Sequence, residues 1–222
     1  MTKSLIVLLA FYCNFAYSQT IFKASYKLNW GSIYLGKVER QLVKTNNIYS
    51  FTSIARPEGF AALFVDSISE KSTFKLHNGR FLSISYYIRE GNNKPTIYQY
   101  KNNSLLVSGK YNTRINKISP MATDFLGAIY QAMQGVSKGQ SRFEFIVYEN
   151  PNKPEKIILN KTKSEIITVD AGRFDSVLLE KKPTDRTRFK MWLAPKINYL
   201  PVKVTNINRE GRVFTMSLLS FE

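Results

Sequence analysis

Cysteine is almost missing: the 222 residues hold one, Cys13, and histidine is equally scarce, with His77 alone. Cys13 lies in the apolar run Leu5 to Phe15, behind Ala10-Phe11-Tyr12, whose two aromatics are too bulky for a lipoprotein cleavage site. That run is shorter than the roughly 20 residues of a membrane span. With Lys3 before it and Ala16-Tyr17-Ser18 after it, it predicts a signal peptide over 1–18, cut before Gln19, followed by a single domain over 19–222. The mature chain of about 204 residues then has no thiol. This excludes disulfides, a thiolate nucleophile and a Cys-based zinc site. Stability must come from burying apolar surface, for which the chain is long enough. A lone histidine in the turn His77-Asn78-Gly79-Arg80 gives no metal site and leaves general-base chemistry to carboxylates or lysines. GxSxG, HExxH and a Gly-rich phosphate loop are absent from the sequence. No catalytic residue, metal or cofactor is therefore assigned.

Acidic residues are few, 16 against 32 Lys and Arg, for a net charge of +16 that falls to +15 without Lys3. Such an excess attracts anionic partners. The predicted signal peptide removes the chain from nucleic acid. It points to the periplasm of a Gram-negative bacterium, where the anions are phospholipid head groups, lipopolysaccharide, peptidoglycan and acidic proteins. No second long apolar run follows, so no transmembrane span is predicted, while peripheral membrane contact is compatible with the charge.

What the chain has in abundance is period-two alternation. Phe22, Ala24, Tyr26 and Leu28 share one strand face, and Gly36, Val38, Arg40 and Leu42 another. Asn46-Asn47, Asn78-Gly79 and Asn102-Asn103 read as hairpin turns. A strand is predicted from Asp66 to Leu76, with Asp66 and Glu70 on its apolar-bearing face. The short run Phe60 to Val65 is predicted to be a helical turn plugging one end of the core. Only one segment has true helical spacing. Phe125, Leu126, Ile129, Ala132 and Met133 predict a helix over about 124–134, with Thr123 as N-cap and Gly135 as stop. The clearest architecture is C-terminal: four alternating strands between Ile166 and Glu222, with corners at Trp192-Leu193-Ala194-Pro195 and Tyr199-Leu200-Pro201. Twelve or so turn-linked strands and one helix predict a mainly β protein. Its antiparallel, strongly curved sheet would form a closed or half-open barrel, with the helix as plug or cap. The dense Lys and Arg on the polar faces argue against an outer-membrane barrel.

The mature chain also resembles the exported bacterial family of domain of unknown function 3108. The features that carry the resemblance are Tyr26, the Gly31…Leu35-Gly36 spacing and Arg56-Pro57-Glu58-Gly59-Phe60. They continue with Asp66-Ser67-Ile68-Ser69-Glu70-Lys71-Ser72, Asn78-Gly79-Arg80 and Ala171-Gly172-Arg173-Phe174-Asp175. Trp192 to Pro195 and Tyr199 to Val202 complete them. The resemblance implies a β-rich exported protein and brings no catalytic residue with it.

Two readings of function follow from the residues. In the first, the curved sheet is a non-catalytic binding or carrier module for an apolar or amphipathic anionic, lipid-like envelope ligand. Aromatics such as Tyr26 and Tyr86 would line its cavity, with Trp192 added at the corner. Arg186, Arg188 and Lys190 would meet the head group at the rim. Asp66 and Glu70 lie about 13 Å apart on an extended strand, too far for a glycosidase carboxylate pair. They are expected to pair with Arg56 or Arg89 instead. In the second reading the protein is an envelope structural or interaction protein, docking acidic partners, peptidoglycan or lipopolysaccharide through its basic faces.

Overall fold

The computed structural model describes residues 18–181, 188–208 and 210–222. Their alternation becomes one sheet of fifteen strands among the described residues, more than the sequence spacing resolves. The N-terminal arm holds β1 (Ser18–Trp30), β2 (Ile33–Thr45), β3 (Ile48–Pro57), β4 (Ile68–His77) and β5 (Arg80–Glu90). It continues through β6 (Thr96–Lys101), β7 (Ser104–Ser108) and β8 (Thr113–Ile115). The short β9 (Ala122–Thr123) leads into helix α1 (Phe125–Ser137). The C-terminal arm runs β10 (Arg142–Val147), β11 (Glu155–Val169), β12 (Gly172–Lys181), β13 (Arg188–Ala194), β14 (Leu200–Ile207) and β15 (Val213–Phe221). Single 3-10 turns lie at Gly59–Leu63 and Pro195–Ile197.

Each arm is a meander of sequential neighbours, and the first and last strands join them. β1 pairs with β2 on one side and β15 on the other, so the two chain ends meet at the middle of the sheet. Every pairing is antiparallel except the short β9–β10 contact. The order runs from β8 to β9 with no ladder between these edges, which makes a half-open barrel. Left-handed Asn46, Asn78, Asn102 and Asn103 make the tight turns that asparagine tolerates better than most residues. Gly36, at φ +144°, permits a closer approach: a Cβ there would overlap the carbonyl oxygen of Arg56 across the β2–β3 ladder.

Helix α1 lies against β3, β4 and β10 on the concave side. Its Tyr130 ring sits 4.8 Å from Phe74 and 5.7 Å from Tyr49, in an aromatic stack extended by Phe81. Its N-cap is Asp124 rather than Thr123, because the Asp124 side chain accepts the Gly127 N–H. The helix continues through Gly135 to Ser137 and stops before Gly139 at φ +83°. The principal core joins α1 to the inner faces of both arms. A second cluster, with Tyr86, Tyr98, Leu105, Val107, Ile118 and Tyr148, packs the two edges together where the ladder is missing. The distal β11–β12 hairpin reaches across to β15, where Ala171 N–H donates to the Leu218 carbonyl.

Two further expectations are corrected. The strand expected from Asp66 starts at Ile68. The turn at Phe60 to Val65 forms but plugs nothing: only Ala61 is buried in it.

Candidate functional site

Strand alternation sends Phe145 and Val147 of β10, Leu159 of β11 and Met191 of β13 inward, all buried. The curvature of the arm holds these strands away from the first turn of α1. Between them lies a cleft of about 670 Å3. Its floor is apolar: Phe125, Ala128 and Ile129 from the helix face Phe145, Val147, Ile157, Leu159, Phe189 and Met191. Phe125 and Phe189 meet edge to face with centroids 6.0 Å apart. The rim is charged, with Lys153, Lys156, Lys181, Glu149 and Glu155. Lys181 pairs with Glu155, and Lys156 reaches Glu144 at 2.9 Å. The volume and the apolar floor are those of a small-molecule site.

Glu149 and Asn150 also border a second cleft of about 710 Å3, lined by Tyr86, Ile88, Thr96, Tyr98, Lys94, Lys110 and Tyr111. Tyr98 donates to the Glu149 carbonyl at 2.7 Å, and burial raises its phenol to about 12. Desolvation raises the Glu149 carboxyl above its ordinary range, and Glu155 and Glu70 add to the effect. Both clefts open at the same end of the barrel.

Behind the clefts runs a polar chain. Tyr86 donates to Glu70 at 2.6 Å, and burial followed by the Glu70 charge pushes its phenol far above the ordinary value. Ser72, fully buried on β4, donates to Asp124 Oδ2 at 2.7 Å, while Oδ1 accepts the Gly127 N–H at 2.8 Å. Burial raises Asp124 to about 6 against the lowering effect of these bonds. One of its oxygens serves the helix cap, the other ties the helix to Ser72 of β4, and neither cleft reaches it, so its shift is that of a structural carboxyl.

The residues expected to form a site are scattered. Tyr26 is fully buried in the core. Its hydroxyl has no partner among the described residues, and the Arg40 guanidinium lies 5.6 Å from its ring. Arg56 pairs with Glu39 on an exposed strand face. Asp66 is exposed beside Gly91 and outside the strand that carries Glu70. The expected pairing of Asp66 or Glu70 with Arg56 or Arg89 does not form. Glu70 bonds Tyr86, and Arg89 stands opposite Ser69 while Glu70 stands opposite Ile88, so their side chains leave opposite faces of the ladder. Arg188 is exposed, and Lys190 pairs with Glu180 at 2.9 Å. Arg186 lies outside the described residues. Trp192 alternates away from Met191 and faces the other side of the sheet, where its Nε1 donates to Glu165 at 2.6 Å and Lys203 covers its ring. Among the described residues, Tyr86 is the one expected contact that lines either of these two clefts, while Arg188 and Lys190 border a smaller one of about 270 Å3. The sequence signal for the first cleft was present in the Phe143, Phe145, Val147 alternation and the helical Phe125 and Ile129 stripe. Lys153, Lys156 and Lys181 join it only through the arm's curvature.

No curated protein matches the chain. Among solved structures, a β-barrel-like protein of domain of unknown function DUF1849 from Brucella abortus superposes with a TM-score of 0.58 at 9% identity. The match covers 90% of this chain and 96% of that one and shows the likeness of fold alone. A putative lipoprotein from Parabacteroides distasonis is far less similar, with a TM-score of 0.33 at 12% identity over 90% of this chain and 94% of that one. The family model described as protein of unknown function (DUF3108) matches residues 25–217, most of the sheet and all of the helix, and the chain belongs to that family.

Proposed function

We propose that the protein is a non-catalytic carrier or binding module of the periplasm, and that its ligand is an amphipathic, lipid-like anion. The observation that carries this reading is the cleft of about 670 Å3, with its floor of Phe125, Ile129, Phe145, Leu159, Phe189 and Met191 beneath a rim that carries Lys153 and Lys181. An acyl or other apolar chain lies on that floor, where it removes apolar surface from water at roughly 25 cal/mol per Å2. A carboxylate or phosphate at its end stays at the rim beside the exposed Lys153 ammonium group, which retains much of its hydration. The head-group role expected of Arg186, Arg188 and Lys190 passes to Lys153. Export rests on the N-terminal signal sequence.

The test is native mass spectrometry of protein purified from the periplasm without detergent. An added mass released on denaturation, whose fragments contain an acyl chain, is the expected result. A clean protein mass, with no displacement of a fluorescent fatty acid by added lipids, would sink the carrier reading. Docking of acidic envelope partners through the basic faces would then be the reading to pursue.

A further inference from the structure

Between Gly59 and Val65 the usual distribution of side chains is inverted. The 3-10 turn buries its small Ala61 and leaves Phe60, Leu63 and Phe64 exposed at 77, 73 and 74%. Val65 follows at 44%. Polar residues at these positions would fold as well, so the fold does not account for the large apolar groups. The Phe60 and Phe64 rings lie 4.9 Å apart and make a single convex knob, and no charged residue interrupts the stretch. The turn follows β3 and precedes β4, at the strand ends that also carry both clefts. Ile68 stands opposite Glu90, and Gly91 N–H donates to the Ser67 carbonyl, so the knob flanks the turn that supplies Asn93 and Lys94 to the second cleft. At the same end Ile33 and Tyr34 are exposed, and Trp30 stacks on Phe214 with centroids 6.2 Å apart.

We infer that this end of the barrel docks onto the surface of an anionic phospholipid bilayer, with Phe60, Leu63 and Phe64 entering the interfacial layer. A convex, uncharged knob fits a fluid interface that closes around it, as the apolar faces of interfacial segments do. Trp30 and Tyr34 suit the head-group level, where amphipathic rings settle. The charge complement is that of the whole mature chain, +15 without Lys3, because Glu58, Glu90 and Glu210 intersperse the local cations Lys94, Lys110 and Arg212. Docking therefore combines long-range attraction with local insertion. The inference rests on the carrier reading for its purpose, since it presents both cleft mouths to the lipid source.

The test is co-sedimentation of the detergent-free protein with phosphatidylcholine vesicles, with and without phosphatidylglycerol. The wild-type protein is compared with F60S/F64S, a pair exposed enough to leave the fold intact, as a thermal melt would verify. Binding to the phosphatidylglycerol vesicles is expected, weakened by salt, and at least tenfold weaker in F60S/F64S, given the transfer energy of two phenyl groups. Equal binding by both proteins, or none by the wild type, would overturn the inference. So would a wild-type dimer that becomes monomeric in F60S/F64S, because the knob would then be a self-interface. Fatty-acid binding measured without vesicles should be equal in both proteins. Its absence beside intact vesicle docking would refute the carrier reading and leave the docking standing.

Discussion

Arg40 and Asp124 are both buried, and their charges are treated very differently. Arg40 Nε and Nη1 have no hydrogen-bond partner among the described residues, nor does the Tyr26 hydroxyl beside them. A guanidinium cannot shed its charge, so the desolvation penalty stands against little more than the cation–π contact with Tyr26. Arg40→Met, which keeps the length of the side chain, is expected to raise stability at pH 7 by about 1–3 kcal/mol. The check is a higher urea midpoint at unchanged slope; a lower midpoint would show a compensating partner for the charge. Asp124 can take up a proton. Its folded pKa of about 6 lies above its ordinary value of 3.8, so the folded chain binds that proton more tightly than the unfolded chain. The Asp124 contribution therefore rises as pH falls from about 6 toward 4 and is lost as pH rises through 6. Asp124→Asn keeps an N-cap acceptor for Gly127. Relative to wild type it should gain roughly 2 kcal/mol at pH 7 and nothing at pH 4. Urea melts at both pH values test this, and a pH-independent difference would contradict the shift.

At the level of elements, the strands were legible because their alternation is a local property. The hairpin asparagines were equally legible, since positive φ is a local demand. The helix was legible from its 3.6-residue stripe, but its cap was assigned one residue early. Thr123 and Asp124 are both good caps by type, and only the arrival of Gly127 N–H and Ser72 of β4 selects Asp124. The run Phe60 to Val65 misled for a related reason. Its apolarity implied burial, but the sequence does not state which way a short turn faces. Gly36 shows an element held by close approach. Gly36→Ala would drive a methyl group into the Arg56 carbonyl and meet an unfavourable φ. It is expected to cost about 2–3 kcal/mol and to speed hydrogen exchange in the β2–β3 ladder first, which exchange mass spectrometry would localise. A uniform change across the sheet would contradict a local origin.

At the level of the whole molecule, ligand recognition is predicted to divide between floor and rim. Lys153→Glu reverses an exposed rim charge and leaves the apolar floor untouched. A fatty acid should bind about tenfold more weakly to this variant, the size of a modest electrostatic change. Its neutral methyl ester should bind as before. Equal loss for both, read by fluorescence displacement, would mean that Lys153 shapes the cleft rather than attracts the anion.

The sequence by itself determined the β-rich class, the helix α1, most hairpin turns and the family, all of which depend on composition or on spacing of a few residues. The tertiary structure decided which faces look inward and which side chains meet across strands. Trp192 went to the other face because strand parity is fixed by its neighbours' register. Lys190 met Glu180 by that same register. The cleft gathers Phe125, Phe145 and Met191, far apart in the chain, because a sheet joined at β1 and β15 curls around α1 and stops short of closing. Curvature of that kind is a sum over many ladders, and no local window of residues contains it.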